Sequence, residues 1–212
     1  MRHTKRFSPL IYSAISISDT PNENNCQAHG VKWVSWPNAP LGAKHNAALE
    51  LAKADPWDAV MILPSDDFVD PLYVLKAMDA IRGGADYVFP DACGLYDTAT
   101  GRACILHNVK GQALKFGAGR IVSRRVVDAV GPLWTPEKMR GLDTDSHGRI
   151  RAHGFTEAVV GIAPGVPCLT DVKTGTNLWA FDAWAKRGER ATVDRVLGMV
   201  DTEVSYAIRA LR

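Results

Sequence analysis

Two adjacent carboxylates, Asp66 and Asp67, follow the apolar run Ala59-Val60-Met61-Ile62-Leu63 across Pro64-Ser65. Acids placed that closely repel each other unless a proton or a cation intervenes. A hard divalent ion with oxygen ligands, Mn²⁺ or Mg²⁺, removes the repulsion, and Mg²⁺ commonly shares its shell with substrate phosphates. The same residues also fit a solvated acidic turn, or a cap for the helix starting near Pro71.

Three further stretches carry chemistry-bearing groups. In Pro37-Asn38-Ala39-Pro40-Leu41-Gly42-Ala43-Lys44-His45-Asn46, Gly42 would let a ligand approach the backbone. The helix N-terminus behind it favours anions, and Lys44 adds positive charge, a combination suited to a diphosphate. Local hydrogen bonding by Asn46 is the plainer alternative. In Gly141-Leu142-Asp143-Thr144-Asp145, Asp143 stands at a helix start, either as an N-cap or as a general base for an acceptor hydroxyl. In Phe116-Gly117-Ala118-Gly119-Arg120, the glycines suit a tight backbone and Arg120 an anion. His147 and His153 read as surface or packing residues. Trp33, Trp36, Trp134, Trp179 and Trp184 suit either a core or a sugar-stacking face.

The elements that must position these groups alternate. Strands are expected at 10–17, 31–34, 59–63 and 87–89, and helices at 22–29, 43–54 and 71–82. That order predicts an α/β fold, an open and mainly parallel twisted sheet with helices on both faces. Residues 93–110 read as an antiparallel excursion turning at Asp97–Gly101. Helices are expected at 121–130, stopped by Gly131-Pro132, and at 143–153, stopped by Gly154. The stretch 178–211 reads as helical with breaks near Gly188 and Gly198. There is no repeat or linker, so the 212 residues are read as a single domain, divided into residues 1–92 and 93–212.

A net charge of +2 is too small to argue for nucleic-acid binding by itself. No apolar run is long enough to span a membrane. Arg2, His3, Lys5 and Arg6 precede only a short apolar stretch, which reads as a strand rather than a signal peptide. The four cysteines, Cys26, Cys93, Cys104 and Cys168, lack zinc-site or redox-pair spacing. Reduced structural thiols in a cytoplasmic protein are expected.

Together, P-N-A-P-L-G-A-K-H-N-A-A-L-E-L-A, D-A-V-M-I-L-P-S-D-D-F-V-D-P, G-A-G-R-I-V-S-R-R and G-L-D-T-D resemble the family 2 glycosyltransferases with their GT-A fold, in content, order and spacing, over about residues 10–160. The resemblance implies a UDP-sugar or similar nucleotide-sugar donor with Mn²⁺ or Mg²⁺. Asp67 would hold the metal, and Asp66 would serve the donor or the metal. Asp143 would be the base with Asp145 as its understudy, and Asp19 a nucleotide-side residue. Asp171, where relatives often have His, would complete the metal shell. Asn38, Gly42, Lys44 and Asn46 would lie on the donor, with Arg120 or Lys173 assisting the departing diphosphate.

The resemblance departs at the start of the chain. Relatives place a strand ending in Pro-x-Asn and a helix ahead of the strand expected at 10–17, where nine residues stand here. A minimal edge, a shortened start, and a partner chain or second copy completing the sheet edge are the readings this leaves. The implied reaction is an inverting sugar transfer. The acceptor could be a glycan, a small molecule or a modified nucleic acid, since some phage relatives act on DNA bases. The Arg-rich segments Arg120–Arg125 and Arg149–Arg151 and a pI near 8.4 permit the last. A nucleotidyltransferase of similar layout and a non-catalytic nucleotide-binding relic are the rival readings. The first would need a Gly-rich basic loop on the first strand, which is absent from the sequence.

Overall fold

The computed structural model describes residues 13–108, 116–177 and 180–211. Along the chain come β1 (Ile15–Ser18), α1 (Glu23–Ala28), β2 (Lys32–Ser35), α2 (Leu41–Ala52), β3 (Ala59–Met61), β4 (Asp67–Val69) and α3 (Pro71–Arg82). Then follow β5 (Tyr87–Pro90), β6 (Ala92–Asp97), β7 (Ala103–His107), β8 (Ile121–Ser123), α4 (Arg124–Val130) and α5 (Leu142–Ala152). The last elements are β9 (Glu157–Val160), β10 (Leu169–Lys173), α6 (Phe181–Ala185), β11 (Glu189–Arg190), α7 (Val193–Leu197) and α8 (Thr202–Arg209). Expected elements at residues 10–12, 109–110 and 178–179, including Trp179, lie outside the described residues.

Local signals account for many boundaries. Asp70 caps α3 by accepting from the Leu72 N–H at 2.8 Å, Pro71 occupies the first turn and Gly83 follows the end, so the helix matches its expected span. The β6–β7 hairpin turns at Asp97–Gly101 as expected, with Gly101 at φ 68°. Other boundaries differ. Ile121–Ser123 is a fully buried strand, and the helix expected from 121 starts only at Arg124. Buried β-branched residues favour the strand there. β3 ends at Met61, and Asp67 is the first residue of β4 rather than part of a turn. The strands β9 and β10 add pairing partners beyond the expected set.

By internal contact the chain forms two compact units, each built from two segments. Among the described residues, one comprises those up to Val60 together with Val122–Phe155; the other comprises those between Met61 and Ile121 together with those from Thr156 onward. These units do not coincide with halves split at residue 92.

In the first unit β1 and β2 pair in parallel, Ile15 opposite Lys32 through Ser18 opposite Ser35. α1 packs on β2 with Cys26 fully buried, α2 packs on β1, and α4 contacts α5.

The second unit holds a five-stranded sheet in the order β11-β7-β6-β10-β4, and β5 paired in parallel with β9. In the five-stranded sheet only β6 and β10 run parallel; the other neighbours are antiparallel. The α/β class therefore holds, with mixed sheets rather than the mainly parallel one expected. One face of this sheet, with Ala92, Tyr96, Ile105 and Val172, is covered by Val196, Leu197, Val200 and Ile208 from α7, α8 and their link. A buried Val or Leu of this kind contributes about 1.5–3 kcal/mol. Gly94 allows the close approach, since a Cβ there would come within 2.7 Å of Val196. The Thr170 hydroxyl donates to the Val196 carbonyl at 2.6 Å. Because side chains alternate along a strand, Asp67, Asp171 and Lys173 take the opposite face. Among the described residues no helix is long and apolar enough to cross a membrane.

Candidate metal centre

β4 pairs antiparallel with β10 so that Asp67 stands directly opposite Asp171. Opposed residues of such a pair carry side chains on one face about 5 Å apart at Cβ, and like charges there are unfavourable. Asp66 joins them: one oxygen from each of Asp66, Asp67 and Asp171 lies within 4.8 Å of the others. Asp66 is held close because its carbonyl accepts from the Val172 N–H at 3.3 Å. The sequence pair at 66–67 and the distant Asp171 are therefore brought together.

The cluster is partly desolvated. Asp67 is 9% exposed. Burial pushes the Asp171 carboxyl above its usual range; Lys173 pulls it down and the Asp66 charge adds to the rise. The buried Cys93 thiol is likewise driven well up, first by burial and then by Asp171 and Asp67. Asp171 Oδ2 receives the Lys173 ammonium at 2.6 Å, whereas its buried Oδ1 has no hydrogen-bond donor among the described residues. An all-carboxylate donor set with an oxygen left over fits a hard divalent cation such as Mg²⁺ or Mn²⁺.

Asn177 is a participant that sequence reasoning missed. Its amide NH₂ donates to Asp66 Oδ2 and, at 3.3 Å, to the Val172 carbonyl. Its Oδ1 accepts from the Thr174 N–H and, at 3.1 Å, from the Thr174 hydroxyl. The turn run Thr174-Gly175-Thr176-Asn177 directly after β10 was the available signal.

Arg120 shares this unit but is 1% exposed, with its guanidinium 5.6 Å from the Phe89 ring centroid. Gly119, at φ 72°, shapes a turn whose N–H donates to the Ile62 carbonyl and whose carbonyl accepts from Tyr73 Oη, both at 2.8 Å. The glycines of this motif are thus used in a tight turn.

The other candidates lie in the first unit. Lys44 donates to Asn38 Oδ1 at 2.7 Å, and its ammonium is lowered by burial against the opposing pull of Asp19. Asp19, Asn38 and Lys44 are thereby gathered. Gly42 and Asn46 serve packing instead of an open ligand loop. A Cβ at Gly42 would stand 2.0 Å from the Thr135 carbonyl oxygen. The Gly42 and Ala43 N–H groups donate to the Lys138 and Pro136 carbonyls, both at 2.9 Å, so the start of α2 is filled by this chain. Asn46 grips the Trp134 backbone with both ends of its amide, at 2.8 and 3.2 Å.

Asp143 lies in the first turn of α5, where the N-cap is Gly141 at φ 68°, so Asp143 is not the cap. Asp145 is a latch: its carboxylate accepts from the Thr135 N–H at 2.6 Å and the Thr135 hydroxyl at 3.0 Å, with Lys138 at 3.5 Å. Burial alone would raise its pKa, but these donors outweigh burial and hold it below the usual range. A depressed carboxylate with both oxygens engaged is a poor general base. His147 is buried in α5, and His153 lies against Phe155 with ring centroids 6.1 Å apart. All four cysteines are buried and unbridged; burial pushes Cys104 to about 11 and Cys168 to about 12. No protein-family model matches the chain, and no curated protein gives a significant match.

Proposed function

We propose that the chain is a metal-dependent glycosyltransferase of GT-A type that moves a sugar from a nucleoside-diphosphate donor, UDP-sugar foremost, to an acceptor hydroxyl with inversion. The observation that carries this reading is the convergence of Asp67 of β4 and Asp171 of β10, opposed on one sheet face, with Asp66 just before β4. Asp67 and Asp171 would hold a divalent cation, with Asp66 turned toward the cation or the donor. When bound, such an ion supplies charge neutralisation for a diphosphate leaving group. Asn177 fixes the Asp66 carboxylate through its amide, so that Asp66 needs little reordering when a ligand arrives. Asp143, in the first turn of α5, is the base that the resemblance implies; its carboxylate would take the proton of the acceptor hydroxyl. The acceptor class is a glycan, a small molecule or a modified nucleic acid.

Incubation with UDP-sugars and Mn²⁺, reading released UDP, tests the assignment. Asp67→Ala should abolish the metal-dependent release, and undiminished release by that variant rejects the mechanism. Asp143→Asn should lower turnover with donor affinity retained; a normal rate removes Asp143 as base.

A further inference from the structure

The acids of the candidate centre share their sheet face with a cation of the chain itself. Lys173 stands two residues after Asp171 on β10, so both side chains leave the strand on the same side. Its ammonium lies 2.6 Å from Asp171 Oδ2, and the residue is only 8% exposed. A lysine seldom gives up that much hydration without an anionic partner. Here the partner belongs to the cluster that would receive a divalent ion. An ammonium and a hard cation seek the same carboxylate lone pairs, and crowding both onto one carboxylate brings like charges together where water screens them poorly. The remaining oxygen, Asp171 Oδ1, is buried without a hydrogen-bond donor among the described residues. Half of this carboxylate is thus taken by Lys173 and half is left over.

We infer that Lys173 is a tethered counter-cation that neutralises Asp171 in the metal-free protein and must leave it when a divalent cation enters. This rests on the metal-centre reading above and adds its regulation. Lys173 lowers the intrinsic affinity of the site, and it keeps the acid cluster from standing uncompensated when no ion is bound. Entry of the ion releases an ammonium on a flexible four-carbon stem, beside the place where phosphate oxygens would arrive. Cation binding and anion capture are then linked through one side chain.

Calorimetric titration of Mn²⁺ into the full chain, with melting followed in the presence and absence of the ion, tests this on wild type, Lys173→Met and Asp67→Asn. Lys173→Met should bind Mn²⁺ about tenfold or more tighter, because a like charge has left the site. Its metal-free Tm should fall, and its Mn²⁺-induced rise in Tm should exceed that of wild type. Lys173→Gln, which keeps a hydrogen-bonding group but no charge, gives the same readout should the methionine variant not fold. Equal or weaker Mn²⁺ binding by these variants, with wild type binding and Asp67→Asn not, overturns the inference and leaves the centre standing. Absence of Mn²⁺ binding by both wild type and the Lys173 variants overturns the centre and the inference with it.

Discussion

Asp67, the first residue of β4, faces Asp171 of β10 across an antiparallel pair, although they stand 104 positions apart in the chain. Opposed carboxylates on one strand pair cost stability unless something positive lies between or beside them. Replacing Asp67 by Asn removes one of the opposed charges. The metal-free variant should therefore melt no lower than wild type, while the rise in Tm on adding Mn²⁺ disappears. A scanning calorimetry trace in which Asp67→Asn still gains several degrees from Mn²⁺ contradicts the assignment.

Asn177 ties the turn after β10 to Asp66. Truncating it removes hydrogen bonds to a charged carboxylate and to backbone, together about 1–3 kcal/mol. Asn177→Ala should lower stability by that amount and weaken Mn²⁺ binding about tenfold or more, the usual cost of losing a group that orients a ligand. Denaturant melts and a metal titration on the same variant separate the two effects; unchanged metal affinity would leave Asn177 a purely structural residue.

Asp145 latches the segment carrying Thr135 through two hydrogen bonds, with Lys138 nearby. Its pKa is depressed on folding, so its stabilisation is present above the unfolded value of about 3.9 and is lost as pH falls through the lower folded value. Asp145→Asn should cost about 2 kcal/mol at neutral pH, the scale of hydrogen bonds to a charged group. Wild type should lose that advantage on acidification below about pH 4. Urea midpoints of both proteins across acid pH measure it, and a gap that widens with acid would refute the latch.

Gly42 allows α2 to meet the backbone of Thr135. A methyl group there would stand 2.0 Å from a carbonyl oxygen, so either the helix or the segment must move. Gly42→Ala should destabilise by about 1–3 kcal/mol or more, the scale of overpacking. The measurement is a denaturant midpoint; a variant of full stability that had lost only nucleotide affinity would restore Gly42 to a ligand loop.

The sequence by itself determined what neighbouring residues can settle. Asp70-Pro71 and Gly83 delimit α3, the turn residues from Asp97 to Gly101 make the β6–β7 hairpin, and the pairing of Asp66 with Asp67 marks an acidic spot. The resemblance added Asp171 to that spot, and the strand register brings it there. Tertiary structure alone decided the rest. Asn177 meets Asp66 across 111 positions, Lys173 turns to Asp171 once both lie on a buried sheet face, and Gly42 and Asn46 meet a segment about 90 residues away. A short window of sequence records turn and cap preferences, whereas strand pairing and helix packing depend on which distant segments bury each other. A carboxylate at a helix start, such as Asp145, reads the same as cap, base or latch until its donors are in place.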